Sequence, residues 1–145
     1  MQSVAIQRNS RYTPIFREAP SYPAAGLVIR SPWVDMILAG KKKWEIRGRK
    51  TNVRGTIALI RSGSGLIVGT CELIDVVGPL TLRQLRKNAY KTGETASQWR
   101  YKPYQKTYAW VLRRAARFRV SRPYKHPSGA VVWVKLRFLN RKQGH

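Results

Sequence analysis

Gly40-Lys41-Lys42-Lys43-Trp44-Glu45-Ile46-Arg47, read with the segment before it, Ser31-Pro32-Trp33-Val34-Asp35-Met36-Ile37-Leu38-Ala39, decides how the chain is built. Val34, Ile37 and Leu38 recur at helical spacing and give that segment one apolar face. Ser31 is the expected N-cap, its hydroxyl accepting from a free N–H of the first turn. Pro32 suits the first helical position, where no N–H is needed. Gly40 can take the left-handed conformation that ends a helix without a Cβ penalty. Beyond it the period changes to two, with Trp44 and Ile46 on one side and Lys43, Glu45 and Arg47 on the other. The stretch reads as helix, glycine stop, charged strand.

Glu45 sits among Lys41, Lys42, Lys43, Arg47 and Arg49 in a chain with only six acidic residues. An acid in that company is ionised and paired. The plain account is an ion pair on a strand surface, which contributes little. The alternative is a functional cluster of Lys42, Glu45 and Arg47. Parity sets a condition on it: inside the strand Lys42 would face away from Glu45 and Arg47, so the three converge only if Lys42 lies in the turn after Gly40.

The flanking chain fits one domain of 145 residues with a modest core. Residues 1–25 hold Pro14, Pro20 and Pro23 with three arginines and read as an irregular basic arm; 139–145 read as a basic tail. Between them, Gly26–Ile29 is a first strand, 43–47 the motif strand, and Thr56–Arg61 and Leu66–Val77 a hairpin joined by Ser62-Gly63-Ser64-Gly65. Thr81 and Gln84 have capping-box spacing at the start of a helix over 81–89. Thr107–Leu112 and Ala130–Phe138 are the last strands. The fold class is therefore α+β, mainly β: a small, mainly antiparallel barrel of five or six strands with two helices.

The net charge of +23 repels itself in a compact state and points to a polyanionic partner, nucleic acid before an anionic membrane surface. The cations are spread along the chain, which implies a basic folded surface. One cysteine, Cys71, excludes an internal disulfide and a cysteine zinc site, and His126 and His145 are too few for a histidine metal site. No metal or cofactor is expected. No apolar run approaches a membrane span and the N-terminus lacks a secretory signal, so the cytoplasm is the expected location. Residues 90–106 interleave Tyr90, Trp99, Tyr101 and Tyr104 with Lys91, Arg100, Lys102 and Lys106. That pattern suits stacking on unpaired bases together with phosphate contact. The alternative is rings folded back on the barrel. Arg113, Arg114, Arg117, Arg119 and Arg122 form the densest basic run, read as phosphate contacts or as a solvated face.

The pattern Gly40-x-Lys42-x-x-Glu45-x-Arg47, preceded by Trp33 and Ile37-Leu38-Ala39, resembles the signature of ASCH domains. The resemblance continues through Gly55–Ile60, Val68-Gly69-Thr70, Tyr108–Leu112 and Val131–Val134. ASCH domains are similar to the PUA domain, a small RNA-associated β-barrel. The resemblance implies an RNA- or nucleotide-binding module with a cleft beside the first helix, to which Trp33, Lys42, Glu45, Arg47, Ser62 and Trp110 contribute. Trp99, Tyr101, Lys102, Arg113 and Arg114 complete the expected binding set. It also implies an alternative: a hydrolase acting on a modified nucleoside, like the acylcytidine amidohydrolases, or on RNA, like a ribonuclease, with Lys42 and Glu45 as catalytic candidates. Those amidohydrolases carry a threonine nucleophile where this chain has Glu45. Their further glutamate follows the second helix, where Glu94 lies one residue off. A third class, an interaction module on ribosomal RNA or in a protein complex, needs only the basic surface.

Overall fold

The apolar runs of the chain are too short and too β-branched to bury themselves as helices, and they assemble into one mixed sheet. A computed structural model describes residues 23–136. Most of the expected N-terminal arm, the tail at 139–145 and the end of the last expected strand lie outside the described residues. The strands are β1 (Ala25–Ile29), β2 (Trp44–Arg47), β3 (Gly55–Arg61), β4 (Leu66–Val77), β5 (Tyr108–Pro123) and β6 (Trp133–Lys135), in the order β2-β5-β4-β3-β1-β6. Among the described residues only β1 and β3 are parallel. Their connection carries helix α1 (Trp33–Leu38) and β2, the long crossover that parallel neighbours require.

The two ends of this order face each other. Trp110 of β5 stacks on Trp133 of β6 with ring centroids 5.7 Å apart and planes 11° from parallel. Arg47 of β2 donates from Nη2 to the Val28 carbonyl of β1 at 3.2 Å. The sheet is thus curled into a PUA-like half-barrel, with a seam between β2 on one side and β1 and β6 on the other.

α1 packs Val34, Ile37 and Leu38 onto Leu27, Ile29, Ile57, Leu59 and Leu73. Its approach depends on Gly69 of β4, where a Cβ would stand 2.3 Å from the Ala116 carbonyl oxygen and 2.6 Å from Leu38 Cδ2. The helix ends as the glycine stop predicts. Gly40 has φ +77°, its N–H reaches the Ile37 carbonyl at 3.0 Å, and the Lys41 N–H reaches Met36 at 2.9 Å. This is the paired bonding of a Schellman motif. The start of α1 departs from expectation: Pro32 holds the cap position with no side-chain cap, and the Ser31 hydroxyl accepts from Arg61 Nη1 at 2.9 Å instead.

Helix α2 (Leu82–Lys87) carries the expected capping box. Thr81 Oγ1 accepts from Gln84 N at 3.1 Å, and Gln84 Oε1 accepts from Thr81 N at 2.8 Å. A 3₁₀ turn follows at Ala89–Lys91. Leu85 seats α2 against Trp44, Leu80 and Ala109, behind β2. β5 runs eleven residues past the expected end at Leu112, through the whole arginine run, and shifts register against β4 beside Arg114, which has φ +53°. The bulge breaks the alternation that marks a strand in sequence. β6 is shorter than expected, at Trp133–Lys135.

Candidate functional site

The seam opens into a cleft of about 500 Å³ between α1, β2 and the chain around Thr92–Tyr104. Lys42 precedes β2, so the parity condition is met and its side chain turns into this cleft. It is 5% exposed. Its Nζ donates to the Trp44 carbonyl at 2.7 Å and the Thr92 carbonyl at 2.8 Å, and lies 3.5 Å from Glu45 Oε1. An ammonium has three donors, and each has an acceptor here. The Trp33 ring covers it, 5.4 Å from Nζ to the ring centroid. Burial pushes the Lys42 pKa down, while the Glu45 charge opposes that shift.

Glu45 joins two cations. Its Oε2 accepts from Arg47 Nε at 2.8 Å, and its other oxygen faces Lys42. With both carboxylate oxygens occupied, Glu45 is an anchor that fixes the ammonium and the guanidinium in one arrangement. Arg47 lies over the Trp110 ring, 5.4 Å from Cζ to the centroid. Trp110 itself is buried and donates from Nε1 to the Arg49 carbonyl at 2.8 Å; contrary to expectation it does not line this cleft but the hollow next to it.

Thr92 is a hub that the sequence does not announce, because its role runs through its carbonyl and a bent backbone. Its carbonyl takes Lys42, while its hydroxyl donates to the Ala89 carbonyl at 2.7 Å and accepts from Trp99 Nε1 at 3.0 Å. Trp99 is thereby held at the edge of the cleft, which it lines. Glu94 follows directly and lines the same cleft. Among the described residues its carboxylate makes no hydrogen bond or ion pair, unlike that of Glu45.

Trp33, Lys42, Glu45, Arg47, Ser62 and Trp99 are brought to this cleft. Tyr101, Lys102, Arg113 and Arg114 are not. Tyr101 is 73% exposed, and Lys102 Nζ donates to the Gln105 carbonyl at 3.1 Å. Arg113 and Arg114 lie on β5 around Glu72, at 2.8 and 3.7 Å. Tyr104 lines the cleft as well. Among the described residues no three His, Cys, Asp or Glu side chains gather as a metal ion would need, and no helix is long and apolar enough to cross a membrane.

A curled six-stranded sheet with a helix at its seam and a Lys-Glu-Arg chain in the opening defines a small PUA-like domain. The family model of the ASCH domain matches residues 27–121, and the chain belongs to the ASCH domain family. Solved structures agree on the fold. The ASCH protein of Zymomonas mobilis is 18% identical, with 83% of this chain and 92% of that one covered and a TM-score of 0.60. Its S128A mutant is 18% identical, with 82% and 92% covered and a TM-score of 0.61. No curated protein matches the sequence.

Proposed function

We propose that this protein binds single-stranded RNA, holding an unpaired base in the seam cleft. The observation that carries the reading is the make-up of that cleft: the rings of Trp33, Trp99 and Tyr104 together with three cations, Arg30, Lys42 and Arg47, and the Glu94 carboxylate. Aromatic faces stack on any base, and carboxylates accept from base amino groups. A duplex offers neither an exposed face nor a splayed edge, so unpaired RNA is favoured. The charge of +23 supplies phosphate attraction around the site.

The test is binding of labelled single-stranded and duplex RNA of one sequence at low salt. Single strands are expected to bind more tightly. Trp99→Ala and Trp33→Ala should each cost about 1–3 kcal/mol of affinity, whereas Tyr101→Ala, outside the cleft, should bind like wild type. Equal affinity for duplex, or unchanged binding in both tryptophan variants, overturns the reading.

One observation favours hydrolysis as a second reading: a buried lysine, held by three acceptors, shares the cleft with Glu94, whose charge favours the ammonium form. Glu45 occupies the place of a threonine nucleophile and both its oxygens are held, so water would be the attacking group. Glu94 would take the water proton and return it to the departing nitrogen or oxygen, and Lys42 would act as a fixed positive charge. Turnover of an acylated cytidine or of RNA, abolished by Glu94→Gln, decides for it; an inactive wild type decides against it.

A further inference from the structure

A second hollow of about 750 Å³ adjoins the first and shares Arg47, Tyr104 and Val132 with it. The charge character of the two differs sharply. The inner cleft pairs Arg30, Lys42 and Arg47 with Glu45 and Glu94. The outer hollow holds Arg47, Arg49, Lys50 and Lys106 and, among the described residues, no carboxylate. Its floor is the Trp110–Trp133 stack, with Trp133 half-buried and Arg49, Lys50 and Lys106 exposed around it.

We infer that the outer hollow is a second subsite, which takes the phosphodiester and the next nucleotide of a strand whose base occupies the inner cleft. The inference rests on the RNA-binding reading above and narrows its ligand class to oligonucleotides. In the inner cleft Glu45 already offsets Lys42 and Arg47, and the Glu94 carboxylate disfavours a phosphate beside it but accepts from the amino group of a neutral base. Four cations, with no acid beside them among the described residues, attract a phosphate, and the half-buried indole offers a stacking face for the adjoining base. Both volumes fall in the range of ordinary small-ligand sites. Arg47 stands at the junction. Its Nε is held by Glu45 and one Nη2 hydrogen by Val28, which fixes the guanidinium plane and leaves donors for a bridging phosphate. Tyr104 forms the wall between the hollows, with its ring against Gly48.

The experiment compares a nucleoside, its monophosphate and a short single-stranded RNA for binding to the full chain, in wild type and in the Lys50→Ala/Lys106→Ala double variant. Both lysines are exposed and outside the inner cleft, so folding is not at stake. Wild type should bind the oligonucleotide at least about tenfold more tightly than the nucleoside, since two phosphate contacts and a stacked base are added. The double variant should lose that advantage and keep nucleoside affinity. Its oligonucleotide salt slope should fall by about 1.4, so the gap to wild type narrows about sevenfold between ~50 and ~200 mM salt. Equal nucleoside and oligonucleotide affinity in wild type, or an unchanged salt slope in the variant, overturns the second subsite while leaving the inner one standing. Failure of every RNA and nucleoside to bind at low salt overturns both.

Discussion

Glu45 separates two kinds of ion pair. On an exposed strand its contacts would contribute well under ~1 kcal/mol. Its side chain is 10% exposed and the Lys42 side chain 5%, and breaking a pair at that depth costs about 3–5 kcal/mol. Glu45→Gln should therefore lower unfolding stability by clearly more than ~1 kcal/mol in a denaturant titration. A smaller loss would mean that water reaches the pair. Lys42→Ala removes the donor to the Trp44 and Thr92 carbonyls and should also loosen the Thr92 turn that holds Trp99. The two substitutions break one unit, so their effects on ligand affinity should be non-additive in a double-mutant cycle. Additive losses would show that Lys42 and Glu45 act separately.

α1 is the element that shapes the seam, and two contacts fix it. Gly69→Ala forces a methyl between the Ala116 carbonyl and Leu38, and overpacking of that kind costs about 1–3 kcal/mol. An unchanged melting temperature would show that the helix can lift away freely. On the outer side, Asp35 of α1 accepts from Arg61 of β3 at 2.8 Å and from Arg117 of β5 at 3.2 Å. The Arg61 hydrogen bond, first among the causes, holds the Asp35 carboxyl below its ordinary 3.8. A depressed acid stabilises the fold fully above its unfolded value and loses that contribution as pH falls through the folded one. Asp35→Asn should therefore narrow its stability gap to wild type as urea unfolding is moved from pH 6 to pH 3, and a constant gap would contradict the pairing. Glu72, held down by Arg113, titrates in the same direction in both proteins.

Elements built from local bonds were legible in sequence: the Gly40 stop and the Thr81/Gln84 box involve partners three to five residues apart, and both form. Ser31 misled because Arg61, thirty residues on, competes for its hydroxyl. β5 was cut short because bulges, which depend on the partner strand, interrupt alternation at Arg114. The Lys42–Glu45–Arg47 cluster was legible up to one condition on parity. Thr92 and the Trp110–Trp133 stack were not, since a carbonyl acceptor and a contact across a rolled sheet leave no pattern in the chain.

At the scale of the molecule, one quantity should act on folding and on the proposed RNA binding with opposite signs. The charge of +23 is distributed over the sheet, the loops and both terminal segments, so the compact state carries substantial self-repulsion. Added salt shortens the Debye length from ~14 Å near 50 mM to ~7 Å near 200 mM and weakens that repulsion. The melting temperature of the free protein should accordingly rise over this range. The paired acids moderate the effect little, because Glu45 is buried and Asp35 and Glu72 each already sit between two arginines. RNA affinity should move the other way. Releasing counterions from six phosphates gives a slope of about −4 on single strands, hence a loss of about 300-fold between ~50 and ~200 mM. A fold change that large must come from phosphates, since stacking on Trp33 and Trp99 involves no ion release. The two titrations therefore belong together, thermal unfolding of the free protein and RNA affinity in the same buffers. A melting temperature that falls with salt would show that net repulsion is not what limits stability. An affinity that holds constant would show that the charge serves something other than a phosphate backbone, and would leave the seam cleft to recognise a neutral ligand by its ring faces and Glu94 alone.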